Sequence, residues 1–149
     1  MRCHEPKIAV VVPCFRVRTK VLSLMAGIGP EVSLIIAVDD ACPEKSGEWL
    51  QHECHDPRLE IIFHAGNLGV GAATVSGYRR ALERGAEIIV KLDGDGQMDP
   101  RFIPRFVQPI KDGQADYVKG NRFYHLESLR GMPLLRMIGN AGVSFSSNA

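Results

Sequence analysis

The chain has no excess of charge of either sign: 18 Lys and Arg against 17 Asp and Glu leave a formal net charge of +1. A nucleic-acid partner usually requires a clustered basic face or a strongly basic domain, so that class is excluded. It also lacks an apolar run near the ~18 residues of a membrane span, and no span is expected. Cys3, Cys14, Cys42 and Cys54 share no CxxC spacing, and Met1 to Pro6 has no apolar signal core. A reducing, cytoplasmic setting is therefore expected. There is no internal repeat, no long low-complexity linker and no G-x-S-x-G nucleophile motif. His52-Glu53-Cys54-His55 is one residue short of HExxH, and no distant pair of Cys or His has structural zinc spacing.

What is present is a chain of 149 residues, 45% hydrophobic and 23% charged, of the size of one domain. Such a chain buries about 70% of its unfolded surface. Apolar, β-branched runs at residues 7–12, 32–38 and 88–92 predict buried strands, the first closed by Pro13, and residues 59–63 predict a further strand. Helices are predicted from Thr19 as cap to Met25, from Ser46 through Trp49 and Leu50, and over 72–84 with Val75, Tyr78 and Leu82 at helical spacing and Gly85 as stop. Asp99-Pro100 is a helix start, with Phe102, Ile103, Phe106 and Ile110 as the buried face up to Gly113. Residues 116–120 predict a fifth strand. Strands apolar on both faces, alternating with amphipathic helices, imply an α/β fold: a mostly parallel sheet with helices on both faces. Ligands of such sheets bind at the carboxyl ends of the strands. Pro13, Asp39-Asp40, the Gly66 to Gly71 loop and Asp93-Gly94-Asp95 all fall there, so they should share one rim.

The chemistry is concentrated at Asp93-Gly94-Asp95-Gly96-Gln97. On an extended backbone residues i and i+2 point to one side, roughly 6.5–7 Å apart, so two carboxylates can flank one cation. Mg²⁺ is commonly held by one or two carboxylates plus substrate phosphates, and Gln97 can add a neutral oxygen. Gly94 and Gly96 allow close backbone approach. An EF-hand is excluded, because its sixth and twelfth positions would be Met98 and Pro104 and a strand precedes the acids. The alternative is a solvated acidic turn; the position at a strand end beside three other polar loops favours the metal site. The glycine loop lacks the last residue of the dinucleotide fingerprint and the Lys and Ser/Thr of a P-loop. Two readings of it stay open, a tight strand-to-helix turn and a direct phosphate contact.

Five motifs in order resemble the family 2 glycosyltransferases of the GT-A fold, most closely the dolichyl-phosphate mannosyltransferase-like, polyprenyl-phosphate branch. Pro13-Cys14-Phe15-Arg16-Val17 matches the family's P-T-Y-N-E, with Val17 in place of the acid. Val38-Asp39-Asp40-Ala41-Cys42 matches V-D-D-G-S, and Asn67 to Ala73 matches N-x-G-x-G-x-A, with Val70 where many relatives carry lysine. Asp93, Asp95 and Gln97 complete D-x-D-x-Q, and Ala115 to Phe123 is similar to A-D-y-v-x-G-s-R-f.

The resemblance implies a GT-A, Rossmann-like domain over residues 1–149: the donor-binding part, with the acceptor part expected beyond it. It implies transfer of a sugar from a GDP- or UDP-linked donor to a polyprenyl- or dolichyl-phosphate acceptor, or to a saccharide hydroxyl, at the cytoplasmic face of a membrane where the acceptor is a lipid. The alternative is a non-catalytic, truncated nucleotide-binding fragment. Pro13, Phe15, Val17, Val38, Asp40, Asp93, Gly94, Asp95 and Arg122 are implied donor contacts. Asp93, Asp95 and Gln97 are implied ligands of Mg²⁺ or Mn²⁺, and Asp95 and Arg122 are the implied catalytic residues. Negative charge grows on the departing nucleoside diphosphate, and a fixed cation with Arg122 would stabilise it more than the ground state.

Overall fold

A computed structural model of the chain describes residues 5–120. Among the described residues, four strands pair in parallel in the order β3-β2-β1-β4. They are β1 (Ile8–Cys14), β2 (Leu34–Asp39), β3 (Leu59–Phe63) and β4 (Ile88–Lys91). Between them lie α1 (Arg18–Ala26), α2 (Ser46–Glu53) and α3 (Val70–Glu83), and a 3-10 turn at Pro100–Phe102 leads into α4 (Ile103–Lys111). These elements belong to one compact unit that runs to Val118; of the second unit, Lys119–Ala149, only the first two residues are described.

Side chains alternate across a strand, and β1 uses both faces. Ile8, Val10, Val12 and Cys14 meet Val21, Leu24 and Met25 of α1, Leu50 of α2, and Ile103 and Val107 of α4. Ala9 and Val11, with Ile36 and Val38 of β2, face Ala73 and Ala81 of α3. Helices therefore cover both faces, as the two-sided apolar pattern of the strands requires.

α3 departs from the sequence reading. Val75, Tyr78 and Leu82, whose spacing marks the helix, are exposed, and the buried row is Ala73, Gly77 and Ala81. A Cβ at Gly77 would overlap Val11, so the small row lets the helix lie close on the sheet. Periodicity identifies the helix, while the space over the sheet selects the row that packs. The helix also begins at Val70, two residues before the predicted start.

Other boundaries shift for local reasons. Thr19 lies inside α1 and caps nothing; Val17 precedes the helix. Asp99 does cap its turn, its side chain accepting from the Arg101 N–H at 2.9 Å. Because Pro100 opens a 3-10 turn, Phe102 points outward at 48% exposure, and Val107 takes its place beside Ile103 on the buried face. The predicted fifth strand at residues 116–120 is not formed. Asp116 sits in a bend and Tyr117 is 77% exposed, with no ladder partner among the described residues. Its β-branched and aromatic content alone does not make a strand without a neighbour to pair with.

Pro13 lies within β1 instead of closing it. Odd-numbered residues of β1 face β4, as the Val11 carbonyl does in accepting from the Leu92 N–H at 3.0 Å. The β1–β4 register ends at Val11 and Lys91, so the donor that Pro13 lacks falls beyond the ladder.

Candidate functional site

The strand order reverses direction at β1: the chain builds outward through β2 and β3, then returns to the other side of β1 with β4. The carboxyl ends of β1 and β4 flank that switch point, where a crevice forms in open parallel sheets. Asp93 and Asp95 follow β4 there, and the loop from Phe15 to Val17 follows β1. Gly94 joins the two: a Cβ at that position would stand 3.0 Å from Val17 Cγ2 and 3.2 Å from the Pro13 carbonyl oxygen. A side chain at residue 94 would crowd Val17 and the Pro13 carbonyl, which would have to give way slightly.

Asp93 and Asp95 are both half-buried. Lys91 Nζ donates to Asp93 Oδ1 at 2.5 Å, and the Gln97 N–H donates to Asp95 Oδ1 at 3.0 Å. Among the described residues no group of three or more His, Cys, Asp or Glu could hold a metal ion by itself. Two accessible carboxylates and an amide fit Mg²⁺ or Mn²⁺ when further oxygens come from water and a bound diphosphate, the usual division for Mg²⁺. The donor set therefore fits the group that the sequence implies.

The Asp39-Asp40 pair is built differently. Adjacent residues of an extended strand point to opposite faces, and each carboxylate clamps the loop on its own side. Asp39 accepts from the Cys42 N–H at 2.7 Å and the Gly47 N–H at 2.5 Å, satisfying the open amino end of α2. Gly47 is needed for this approach, since a Cβ would meet the Asp39 carboxylate at 2.8 Å.

Asp40, 3% exposed, accepts from the Leu68 N–H at 2.9 Å and the Gly69 N–H at 2.7 Å, and contacts His64 Nδ1 at 2.7 Å. Burial pushes its carboxyl up, but the donors of Leu68, His64 and Gly69 outweigh it and hold the group below the ordinary aspartate value. Two N–H groups of the glycine loop thus point inward to Asp40 and not toward a phosphate. The loop is a tight strand-to-helix turn, with Gly69 at φ +89°. A nucleoside contact by Asp40 would have to use a lone pair left over from these bonds.

Of the other sequence-predicted residues, Phe15 is exposed at the rim with the Arg16 guanidinium 5.5 Å from its ring centroid. Val17 packs on the core, and the Val38 side chain is fully buried under α3, which leaves its backbone as the part a ligand could reach. Arg122 lies outside the described residues. Arg16, Ala41 and Lys45 have φ of 51–56°, and all three sit in the loops after β1 and β2. Such conformations cost energy for residues with a side chain and gather at functional rims. Cys42 joins the two loops by accepting from the Arg16 N–H at 3.0 Å. Burial raises its thiol pKa, yet hydrogen bonds from Ser46 and Arg16 bring it below the usual value, whereas burial and the nearby Asp39 push Cys14 up to about 12.

Three residues escaped the sequence reading: Lys91, His64 and Ser76. Lys91 carried a signal, a lone cation ending an apolar strand two residues before the carboxylate it meets. His64 and Ser76 carried none, because they stand 24 and 36 residues from Asp40 and only the fold brings them together.

The chain is similar to several known proteins. The chain is 43% identical over 88 residues to the UDP-N-acetylglucosamine–dolichyl-phosphate N-acetylglucosaminyltransferase of Methanococcus voltae, covering 59% of this chain and 35% of that protein. It is 34% identical over 89 residues to the undecaprenyl-phosphate mannosyltransferase of Micrococcus luteus, covering 59% and 36%. With the dolichol-phosphate mannosyltransferase of Pyrococcus furiosus it shares 24% identity over 140 residues, 91% of this chain and 39% of that one. The chain therefore matches little more than a third of the length of each. The structure of S. aureus TarS 1-349 in complex with UDP superposes with a TM-score of 0.59 at 19% identity, over 85% of this chain and 38% of that one, which supports the expected GT-A fold. The family model for glycosyl transferase family 2 matches residues 10–147, nearly the whole sequence, and with the rim motifs in place the chain belongs to that family.

Proposed function

We propose that this chain carries the donor half of a glycosyltransferase that moves a sugar from a GDP- or UDP-linked donor to a polyprenyl- or dolichyl-phosphate acceptor, working at the cytoplasmic face of a membrane. The observation that carries the reading is the pair of half-buried carboxylates, Asp93 and Asp95, beside the switch point between β1 and β4. The names of the Methanococcus, Micrococcus and Pyrococcus relatives support the lipid-phosphate acceptor. Among the described residues no helix is long and apolar enough to cross a membrane.

In this reading Pro13, Phe15, Val17 and the Val38 backbone border the nucleoside, and Phe15 offers an exposed ring for stacking. Asp40 acts on the donor through the loop that it holds. Asp93, Asp95 and Gln97 hold Mg²⁺ or Mn²⁺, whose charge stabilises the leaving diphosphate when bound. Gly94 lets the loop after β4 lie close on Pro13 and Val17 instead of facing the ligand, Asp95 orients the diphosphate, and Arg122 neutralises the charge that grows on it. A lipid phosphate is already anionic near neutral pH, so transfer to it needs no strong general base.

The test is calorimetry with GDP- and UDP-sugars, with and without Mn²⁺. Metal-dependent binding of one class identifies the base; absence of metal-dependent binding with both sinks the reading.

A further inference from the structure

Asp40, His64 and Ser76 form a hydrogen-bonded chain. His64 Nδ1 lies 2.7 Å from Asp40 Oδ1 and His64 Nε2 lies 2.9 Å from Ser76 Oγ. An ionised carboxylate only accepts, so Nδ1 carries the proton that Asp40 receives, and in the neutral ring Nε2 accepts from the Ser76 hydroxyl. The side chains of Asp40 and His64 are 4% and 9% exposed.

The order carboxylate, imidazole, hydroxyl is that of a nucleophilic triad, but the site lacks the rest of one. Ser76 lies in the second turn of α3, where backbone N–H groups are engaged within the helix and cannot form an oxyanion hole. The chain is anchored at one end in a helix and at the other in a loop, and its product is a fixed position. Asp40 binds the Leu68 and Gly69 N–H groups on its other contacts. The Ala73 N–H also binds the Gly69 carbonyl at 3.0 Å as the first turn of α3 closes, and the Gly69 N–H reaches Asn67 Oδ1 at 3.0 Å, so Asp40 shares Gly69 with local bonds while it holds the Leu68 N–H across 28 residues.

We infer that His64 is a positioning residue of the donor site: it holds Asp40 against Ser76 and so sets where the Leu68-Gly69 turn sits on the rim. The inference rests on the donor reading only for its consequence, since the hydrogen bonds to the loop exist without a ligand. His64→Asn keeps a nitrogen donor near the Nδ1 position and loses the Ser76 bond, while Ser76→Ala loses that bond alone and His64→Ala loses both.

Amide hydrogen exchange at Leu68 and Gly69, measured without ligand on the folded chain, reads the loop directly. Loss of the His64 bond to Asp40, one of the two that His64→Ala removes, predicts about tenfold faster exchange at these two amides for a bond of ordinary strength. Exchange at Cys42 and Gly47, which hang on Asp39, should not change. A smaller increase is expected in Ser76→Ala, and a partial return toward the native rate in His64→Asn. Unchanged exchange at Leu68 and Gly69 in His64→Ala, or in Ser76→Ala where His64→Ala does not fold, overturns the inference. So does a uniform rise that includes Cys42 and Gly47, because that reports general loosening. Nucleotide titration of the same variants separates the two readings: weaker binding that tracks faster loop exchange supports the positioning role. If the native chain binds no nucleotide, the donor reading fails while the exchange result still decides this one.

Discussion

Two pairs of carboxylates stand at the same rim and have opposite surroundings. Asp39 and Asp40 are adjacent, so the strand sends one to each face of the sheet, where each is buried and held by two backbone N–H groups. Asp93 and Asp95 are separated by Gly94, leave the sheet after β4 and remain half-exposed, one meeting Lys91 and the other the Gln97 N–H. The first pair holds the scaffold and the second is open to a ligand. Spacing and burial, not residue type, separate the two duties.

The comparison breaks most visibly if Asp40 is removed. Asp40→Ala leaves the Leu68 N–H and His64 without their acceptor and the Gly69 N–H with Asn67 Oδ1 alone, and is expected to cost about 3 kcal/mol of stability by denaturant unfolding. Asp95→Ala should do the reverse: unfolding shifts by less than about 0.5 kcal/mol, the usual range for surface positions. Metal-dependent nucleotide binding by calorimetry should fall by roughly tenfold or more in the same variant, as expected for loss of a cation ligand. Equal stability losses in both variants would erase the distinction.

Acid should act on the first pair as well. The folded-state pKa of Asp40 is lowered from an ordinary value of 3.8, so its contribution is fully present above that value and is lost as pH falls through the folded pKa. Asp56, held by Arg58, and Glu60, paired with Arg80 and Arg84 against a burial cost, are lowered too and act with the same sign. Stability followed by urea unfolding should therefore decline below about pH 4, and Asp40→Asn should flatten that slope without abolishing it. A native-like slope in this variant would remove Asp40 from the account.

The smallest effect belongs to Lys91. Its pair with Asp93 is about one-third exposed, and such pairs contribute roughly 0–1 kcal/mol. Lys91→Met should leave stability nearly unchanged while Mn²⁺ binds a few-fold more tightly, because Asp93 no longer has to give up a cation. Weaker Mn²⁺ binding by titration would instead make Lys91 part of the ligand environment.

Much of this was legible in the chain because it depends on short-range patterns. β1 and β2 are buried and apolar on both faces and could not be covered on one side only, whereas β3 at the sheet edge is only partly buried. Asp99-Pro100 starts its turn by local chemistry. The spacing of Asp93 and Asp95 placed both carboxylates at one strand end. Where volume or pairing decides, the pattern was insufficient. Val75, Tyr78 and Leu82 have helical spacing but lose the sheet to Ala73, Gly77 and Ala81, and residues 116–120 have strand composition without a strand to join.

By itself the sequence determined the α/β class and the rim, since strand period acts within a few residues; it put Asp93 and Asp95 on extended backbone, but Gly94 and Asp95 form a turn after β4, so the strand period does not set how the two carboxylates point. The tertiary structure alone decided that Asp40 faces inward, that the glycine loop directs its N–H groups to that carboxylate, and that His64 and Ser76 complete the support. Those contacts join residues 12 to 29 positions apart, and burial gives them their strength: a carboxylate withdrawn from water must find its donors in the protein, and only the folded sheet brings them within reach.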